Sequence, residues 1–312
     1  MHLGAPSACL MSVAVMLGAS AVVAQRAPVA PLVRENATVK LGEHTYVIPD
    51  GSVPMVPNVG IVVGSRATLV IDPGLGWLNG QTVLREAAKL GTNRELFVAS
   101  THFHAEHTTG YLAFPRAATY VNSNVQEAEA EEGLLEQIEN FSARSSMAAE
   151  LLSDAGRREA DVVYDRDYLL DLGGVRVRFV VVGPTHTRGD TGFFVEEDGV
   201  LFSGDVVMND SFLAASGATS MTAWLAAFDT FQQLRPTTIV PAHGAVGDGS
   251  IIAVCRTLMQ EVQTRARDLK AQGRSSDDVA MIVRMELGAK HPEWPRADGL
   301  FAAARAAYAE AP

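Results

Sequence analysis

The segment Thr101-His102-Phe103-His104-Ala105-Glu106-His107 puts three imidazoles and a carboxylate directly after the apolar run ELFVAS at residues 95–100. In an extended chain, residues two apart share a face, so His102 and His104 can converge on one ion. A turn into a helix over residues 108–113 then swings Glu106 and His107 back toward it. Imidazole and carboxylate together suit zinc or another borderline first-row ion. The competing reading, histidines that face solvent or fill a core, does not account for three of them after one hydrophobic strand. An isolated HxHxEH pattern is only moderately specific, and four further segments strengthen it. His186 follows the apolar strand ending at Val182, Asp205 closes the hairpin Leu201-Phe202-Ser203-Gly204, His243 ends Ile239-Val240-Pro241-Ala242, and Asp72 follows Leu69-Val70-Ile71.

Such groups can meet only if strands end at a common edge, the usual place for ligands in alpha/beta proteins. Residues 39–47, 59–63 and 67–71 are rich in β-branched side chains and separated by glycine-containing or polar turns, which predicts an opening meander of strands. Val83, Leu84, Ala87 and Leu90 recur at helical spacing and predict a helix over 79–90. Strands are predicted at 95–100 and 119–122. An interrupted apolar stripe across the Glu- and Ala-rich residues 123–157 predicts one or two helices broken near 140–146. Strands resume at 168–172, 175–182, 192–196 and 200–202, with the Gly173-Gly174 and Asp198-Gly199 turn signals between them. A helix over 221–234, a strand over 237–240 and a long helix over 250–271 follow. Two halves of this order predict an alpha/beta sandwich of two mixed sheets with helices on both outer faces. Residues 276–312 read as a helical extension of the same domain, so residues 25–312 form one domain.

With 312 residues, 47% hydrophobic and 20% charged, the chain has a soluble globular profile. Its formal charge of -11 and the lack of a basic patch exclude a nucleic-acid backbone as partner. The two cysteines, Cys9 and Cys255, cannot build a disulfide framework. Residues 9–24 form an apolar run ending in small residues, with cleavage expected after Ala21 or Ala24, so residues 1–24 read as a signal peptide and the mature protein as periplasmic or secreted. A membrane anchor is the alternative, because the run has no Lys or Arg before it. No later segment is long and apolar enough to span a bilayer. Oligomeric state is not readable.

The five motifs together resemble the metallo-beta-lactamase superfamily over residues 40–250. The resemblance implies a four-layer alpha-beta/beta-alpha sandwich with a two-metal groove at its edge. Carried over by position, His102, His104 and His186 would hold the first ion, and Glu106, His107 and His243 the second. Asp205 would bridge the two as in the glyoxalase-like and lactonase-like branches, and Asp72 would support a histidine ligand through its second ring nitrogen. Asp72 also reads as a turn residue before Pro73-Gly74, a role compatible with that one. The family usually has Asp where this chain has Glu106, and the extra methylene leaves a mononuclear site, or iron or manganese in place of zinc, as alternatives to two zinc ions.

The implied activity is metal-dependent hydrolysis of a small-molecule substrate. Two ions about 3.5–4 Å apart acidify a shared water, and the resulting hydroxide attacks an ester, lactone or thioester carbonyl. Glu106 and Asp205 are the candidate catalytic carboxylates. Beta-lactam hydrolysis is the runner-up; Asp205 in place of Cys or Ser, and the absence of lysine between Lys89 and Lys270, argue against its best-known forms. A non-catalytic metal-binding protein is the third reading. Phe103, Tyr111, Met55, Phe212 and Arg188 are candidate substrate contacts, each with a core or surface role as the alternative. Residues 49–57 read as a flap over the groove and 208–220 as its opposite wall.

Overall fold

The computed structural model describes residues 1, 29–91 and 95–312; the expected signal segment, with His2 and Cys9, lies outside the described residues apart from Met1. The first sheet holds β1 (Val39–Lys40), β2 (Thr45–Ile48), β3 (Val59–Val63), β4 (Ala67–Ile71), β5 (Glu95–Ala99), β6 (Thr119–Ser123) and β7 (Val162–Tyr164) in that order. Its first four strands are an antiparallel meander, and β4 through β7 run parallel. The second sheet has the order β12 (Thr238–Pro241), β11 (Val200–Gly204), β10 (Thr191–Val195), β9 (Arg176–Val181), β8 (Asp167–Asp171), antiparallel except for the parallel β11 and β12 pair. The helices are α1 (Gly76–Leu90), α2 (Ala105–Thr108), α3 (Asn124–Ser142), α4 (Ser146–Leu151), α5 (Met221–Gln233), α6 (Ser250–Ala271), α7 (Ser276–Lys290) and α8 (Gly299–Glu310), with a 3-10 turn at Thr109–Ala113.

Three apolar layers organise these elements into an alpha-beta/beta-alpha sandwich. Between the sheets, Val47, Val62, Leu69 and Ile71 meet Val177, Phe179, Phe193 and Phe202. Outside the first sheet, Val83 and Ala87 of α1 cover Ile61, Val70 and Val98. Outside the second, α5 to α8 bury Trp224, Phe228, Val262, Val283 and Ala304 against Leu201 and Ile239. Strands buried on both faces read as continuous apolar runs, as in ATLVI of β4. On β9 the alternation survives because one face is solvated: Arg176 and Arg178 point outward to Glu196 while Val177 and Phe179 are buried.

Differences from the sequence reading have local causes. The chain over 39–47 is two strands, because Leu41 and Gly42 turn back to the carbonyl of Thr45. The helix expected over 108–113 is α2 followed by the 3-10 turn, so Glu106 and His107 lie inside a helical turn rather than before it. Strand β7 escapes prediction: three residues carry no periodicity, and its partner β6 lies some forty residues earlier. Gly80 of α1 lets that helix approach the metal-motif loop, since a Cβ there would lie 2.0 Å from the Gly110 carbonyl oxygen.

Candidate metal centre and groove

The C-terminal ends of β4, β5, β11 and β12, and the loop after β9, converge at one edge of the sandwich. Backbone bonds within and between the two sheets fix this edge. Thr191 N donates to Thr101 O (2.8 Å), Ala242 N to Gly204 O (3.0 Å) and Asn58 N to Ala242 O (2.7 Å). Buried Gln126 of α3 adds a clamp, its Nε2 donating to the carbonyls of Ser100, Thr101 and Gly189. Gly204 at φ 60° turns β11 into Asp205 beside Thr101, where a Cβ would lie 2.8 Å from the threonine Cβ.

At this edge the motif residues form two clusters, His102 with His104 and His186, and Glu106 with His107 and His243; within each, one candidate ligand atom per residue lies within 4.8 Å of the others. His104 Nδ1 is 3.1 Å from both His102 Nε2 and His186 Nε2. Three nitrogens on a tetrahedral ion at about 2.0 Å are about 3.3 Å apart, so the spacing fits three ligands of a tetrahedral site with its fourth position open. Asp205 lies between the clusters, its Oδ2 3.6 Å from His186 Nε2 and its Oδ1 4.0 Å from His243 Nε2.

Four rings are oriented through the nitrogen that faces away from the cluster. His107 Nδ1 donates to Asp72 Oδ2 (3.0 Å), His243 Nδ1 to Val56 O (3.0 Å) and His186 Nδ1 to Ala214 O. Thr101 Oγ1 gives its proton to Asp72 Oδ2 (2.9 Å), so it accepts from His102 Nδ1 at 3.1 Å. In the neutral tautomer that makes these bonds, the other nitrogen of each ring presents its lone pair to the cluster, the arrangement metal ligation requires. Glu106 Oε2, His107 Nε2 and Asp205 Oδ1 are buried and have no hydrogen-bond partner among the described residues. Orphaned polar atoms of this kind cost stability unless something completes them, and three pointing into one centre fit divalent cations.

The electrostatics agree with that fit at His102, His104 and His243 and run against it at His107 and Glu106, whose raised values favour the protonated forms. Burial, then the neighbouring rings, holds His102 and His104 well below the ordinary histidine range, so both are neutral donors. Burial lowers His243 to about 4. Burial would also lower His107, but Asp72, with Glu106 and Asp205 behind it, raises it to about 9. Burial raises the Glu106 carboxyl. It opposes ionisation of Asp205 too, yet the Arg296 guanidinium and the surrounding histidines hold that carboxyl far below the usual range.

A groove of about 660 Å³ opens over the clusters, with Glu106 and His243 in its lining. Ser52 to Met55 of the early loop form one side and Asn209 to Ser211 the other. Met55 therefore lines the groove. Phe103 is half-buried against the His104 ring, at 4.9 Å between centroids. Three of the candidate substrate contacts are corrected. Tyr111 is buried, its hydroxyl donating to Gly156 O and accepting from Arg158 N, because the 3-10 turn aims it into the core. Phe212 is fully buried against Trp294. Arg188 turns outward to Glu129 and Glu132. The groove's cations are instead Arg144, after α3, and Arg296, before α8; neither lies in a motif, and no local signal marks them.

Comparison with known proteins bears on the same residues. A family model described as the Metallo-beta-lactamase superfamily matches residues 53–243. The acyl-coenzyme A thioesterase MBLAC2 of Homo sapiens is 30% identical over 177 residues, 50% of this chain and 60% of that protein. The atrochrysone carboxyl ACP thioesterase of Aspergillus terreus is 22% identical over 218 residues, 70% of this chain and 58% of that protein. The chain thus spans about three fifths of the length of these curated relatives. Among solved structures, a metallo-beta-lactamase from Pontibacter korlensis superposes with a TM-score of 0.57 at 19% identity, covering 72% of this chain and 98% of that one.

Proposed function

The chain belongs to the metallo-beta-lactamase superfamily, and from that premise we propose that it is a metal-dependent hydrolase of esters, thioesters foremost. The observation that carries this reading is the pair of three-residue clusters on either side of Asp205, with buried orphaned ligand atoms at the second cluster and Glu106 and His243 reaching the lining of an open groove. Two divalent ions held by His102, His104 and His186, and by Glu106, His107 and His243, would supply Lewis acidity at the substrate carbonyl and an acidified water. The protein's own part is positional. Asp205 and Glu106 offer carboxylate oxygens that accept a hydrogen bond from the attacking water and hold it in line. Asp72 keeps the His107 ring in place. The loop at residues 52–55 excludes bulk water from one side of the groove. Across the reaction water adds to the acyl carbon, the C–S or C–O bond breaks, and the leaving group departs with a proton.

Support for the thioester emphasis comes from the two relatives named as thioesterases. A panel of an acyl thioester, a phenyl ester, a γ-lactone and a chromogenic cephalosporin, assayed with zinc-replete protein, is expected to show thioester or ester turnover that is lost in His104→Ala. Cephalosporin turnover alone would replace this reading with the lactamase one, and stoichiometric metal with no turnover on any member would favour a non-catalytic metal binder.

The reading extends to location. Among the described residues no helix is long and apolar enough to cross a membrane. The apolar run at residues 9–24 supports export with cleavage after Ala21 or Ala24. Intact mass of the protein recovered from its native host is expected to begin at Val22 or Gln25, and recovery with the apolar run retained would defeat export by cleavage.

A further inference from the structure

The groove carries two cations that the hydrolytic chemistry does not use. Arg296 belongs to the segment between α7 and α8, beyond the matched residues 53–243. It is held there firmly. The backbone at Arg296 is left-handed (φ 68°), a conformation uncommon outside glycine. Its neighbour Pro295 accepts from Phe212 N at 3.2 Å, and its own carbonyl accepts from Gly299 N at 2.9 Å. This geometry directs the side chain inward, with Nη1 3.1 Å from Asp205 Oδ2, while it keeps about a third of its surface exposed. Arg144 follows α3 on the other approach to the groove. Its guanidinium lies 3.6 Å from the centre of the Phe141 ring, and among the described residues no carboxylate is paired with it.

Two guanidinium groups beside a centre built for cations repel that centre unless negative charge sits between them. Asp205 pairs with Arg296, and although Asp50, Glu106 and Asp210 also line the groove, none of the described carboxylates lies within ion-pair distance of Arg144. Val53, Pro54 and Met55 add an apolar portion to the lining of the same groove. An occupant that satisfies both surfaces has an apolar portion and an oxyanion, because a guanidinium fork matches carboxylate and phosphate geometry.

We propose that Arg144 and Arg296 form an anion anchor at the groove mouth, and that the preferred substrate is an ester or thioester carrying a carboxylate or phosphate next to an apolar portion. The proposal rests on the hydrolase reading for the scissile bond, and on the arginines alone for the anion. It makes the C-terminal extension part of the specificity apparatus through Arg296.

Two matched substrate pairs test it on the zinc-replete full-length protein. Phenyl acetate against phenyl hydrogen succinate places the charge on the acyl side. S-acetylpantetheine against its 4′-phosphate places it on the leaving side. In at least one pair the anionic member is expected to have a kcat/KM about tenfold higher or more, expressed mainly in KM. The pair showing the preference identifies where the anion sits. Arg144→Ala and Arg296→Ala should each reduce that ratio by about tenfold, with Arg144→Lys intermediate because it keeps charge without the fork. Calorimetric titration with succinanilic acid, an amide that resists cleavage, reads the anchor without turnover, and its Kd should rise by about tenfold in Arg144→Ala. Equal processing of both members in both pairs, a preference that Arg144→Ala and Arg296→Ala leave unchanged, or an acyl-side preference with unchanged amide binding in Arg144→Ala, overturns the anchor. Absence of ester and thioester cleavage alongside arginine-dependent amide binding keeps the anchor and removes the proposed reaction. Arg144 is exposed, so its variants retain the fold; thermal melting checks this for Arg296→Ala.

Discussion

Replacement of His186 by alanine is expected to remove one of two bound ions and to lower kcat/KM by about a thousandfold. His102 and His104 come from one short segment, and their ring nitrogens reach the first cluster whatever the rest of the chain does. The third nitrogen arrives from the loop after β9, with His186 Nε2 3.1 Å from His104 Nδ1 and its other nitrogen donating to Ala214 O. Two imidazoles do not complete a tetrahedral site, which needs three or four protein ligands. Loss of a Lewis acid worth about 4 kcal/mol at the transition state corresponds to roughly a thousandfold in rate. The fold should survive, because His186 lies on a loop at the sheet edge rather than in an apolar layer; metal-free variant and metal-free wild type should melt within a few degrees. Metal content by plasma emission, together with kcat/KM on the best panel substrate, decides the matter. Two ions per chain and a rate within about tenfold of wild type would remove His186 from the centre.

Asp72→Ala should damage both stability and the second cluster. Asp72 is 1% exposed and sits at the end of β4 in the left-handed region, φ 57°. It accepts from Thr101 N (2.7 Å), Thr101 Oγ1 (2.9 Å) and His107 Nδ1 (3.0 Å). Alanine leaves three buried donors unpaired, each costing about 1–3 kcal/mol, and it tolerates the left-handed backbone less well than aspartate. A combined loss of about 3–5 kcal/mol is expected in chemical denaturation. Asp72→Asn separates the two roles: its carbonyl can still accept from Thr101, but the amide cannot act as the negative partner of His107. That variant should lose about 1–2 kcal/mol of stability and about 10–100-fold in affinity for the ion at the second cluster, measured by competition with a chelator. An Asn variant that binds this ion as tightly as wild type would show that Asp72 serves the turn alone.

The metal-ligand candidates were legible in the sequence because each stands in a short motif at the end of a hydrophobic strand. A strand end fixes the direction of the next few side chains, so Asp72, His102, His104, Asp205 and His243 inherit their positions from β4, β5, β11 and β12. Proximity along the chain was a poor guide to the groove walls. Tyr111 and Phe212 lie a few residues from ligands, yet local backbone geometry turns both into apolar layers. Arg188 lies two residues from His186 and is drawn to Glu129 and Glu132 on α3.

By itself, the amino-acid order determined the layered alpha/beta architecture, through the alternation of β-branched runs with 3.6-residue stripes, and the chemical character of the centre, through histidines and carboxylates at strand ends. Only the tertiary structure decided which cations face the groove. Arg296 reaches Asp205 across 91 positions of chain, brought there by packing of residues 294 and 295 against Phe212. Contacts of that range depend on how the helical layer closes over the second sheet, a sum of many apolar contacts that no local spacing encodes.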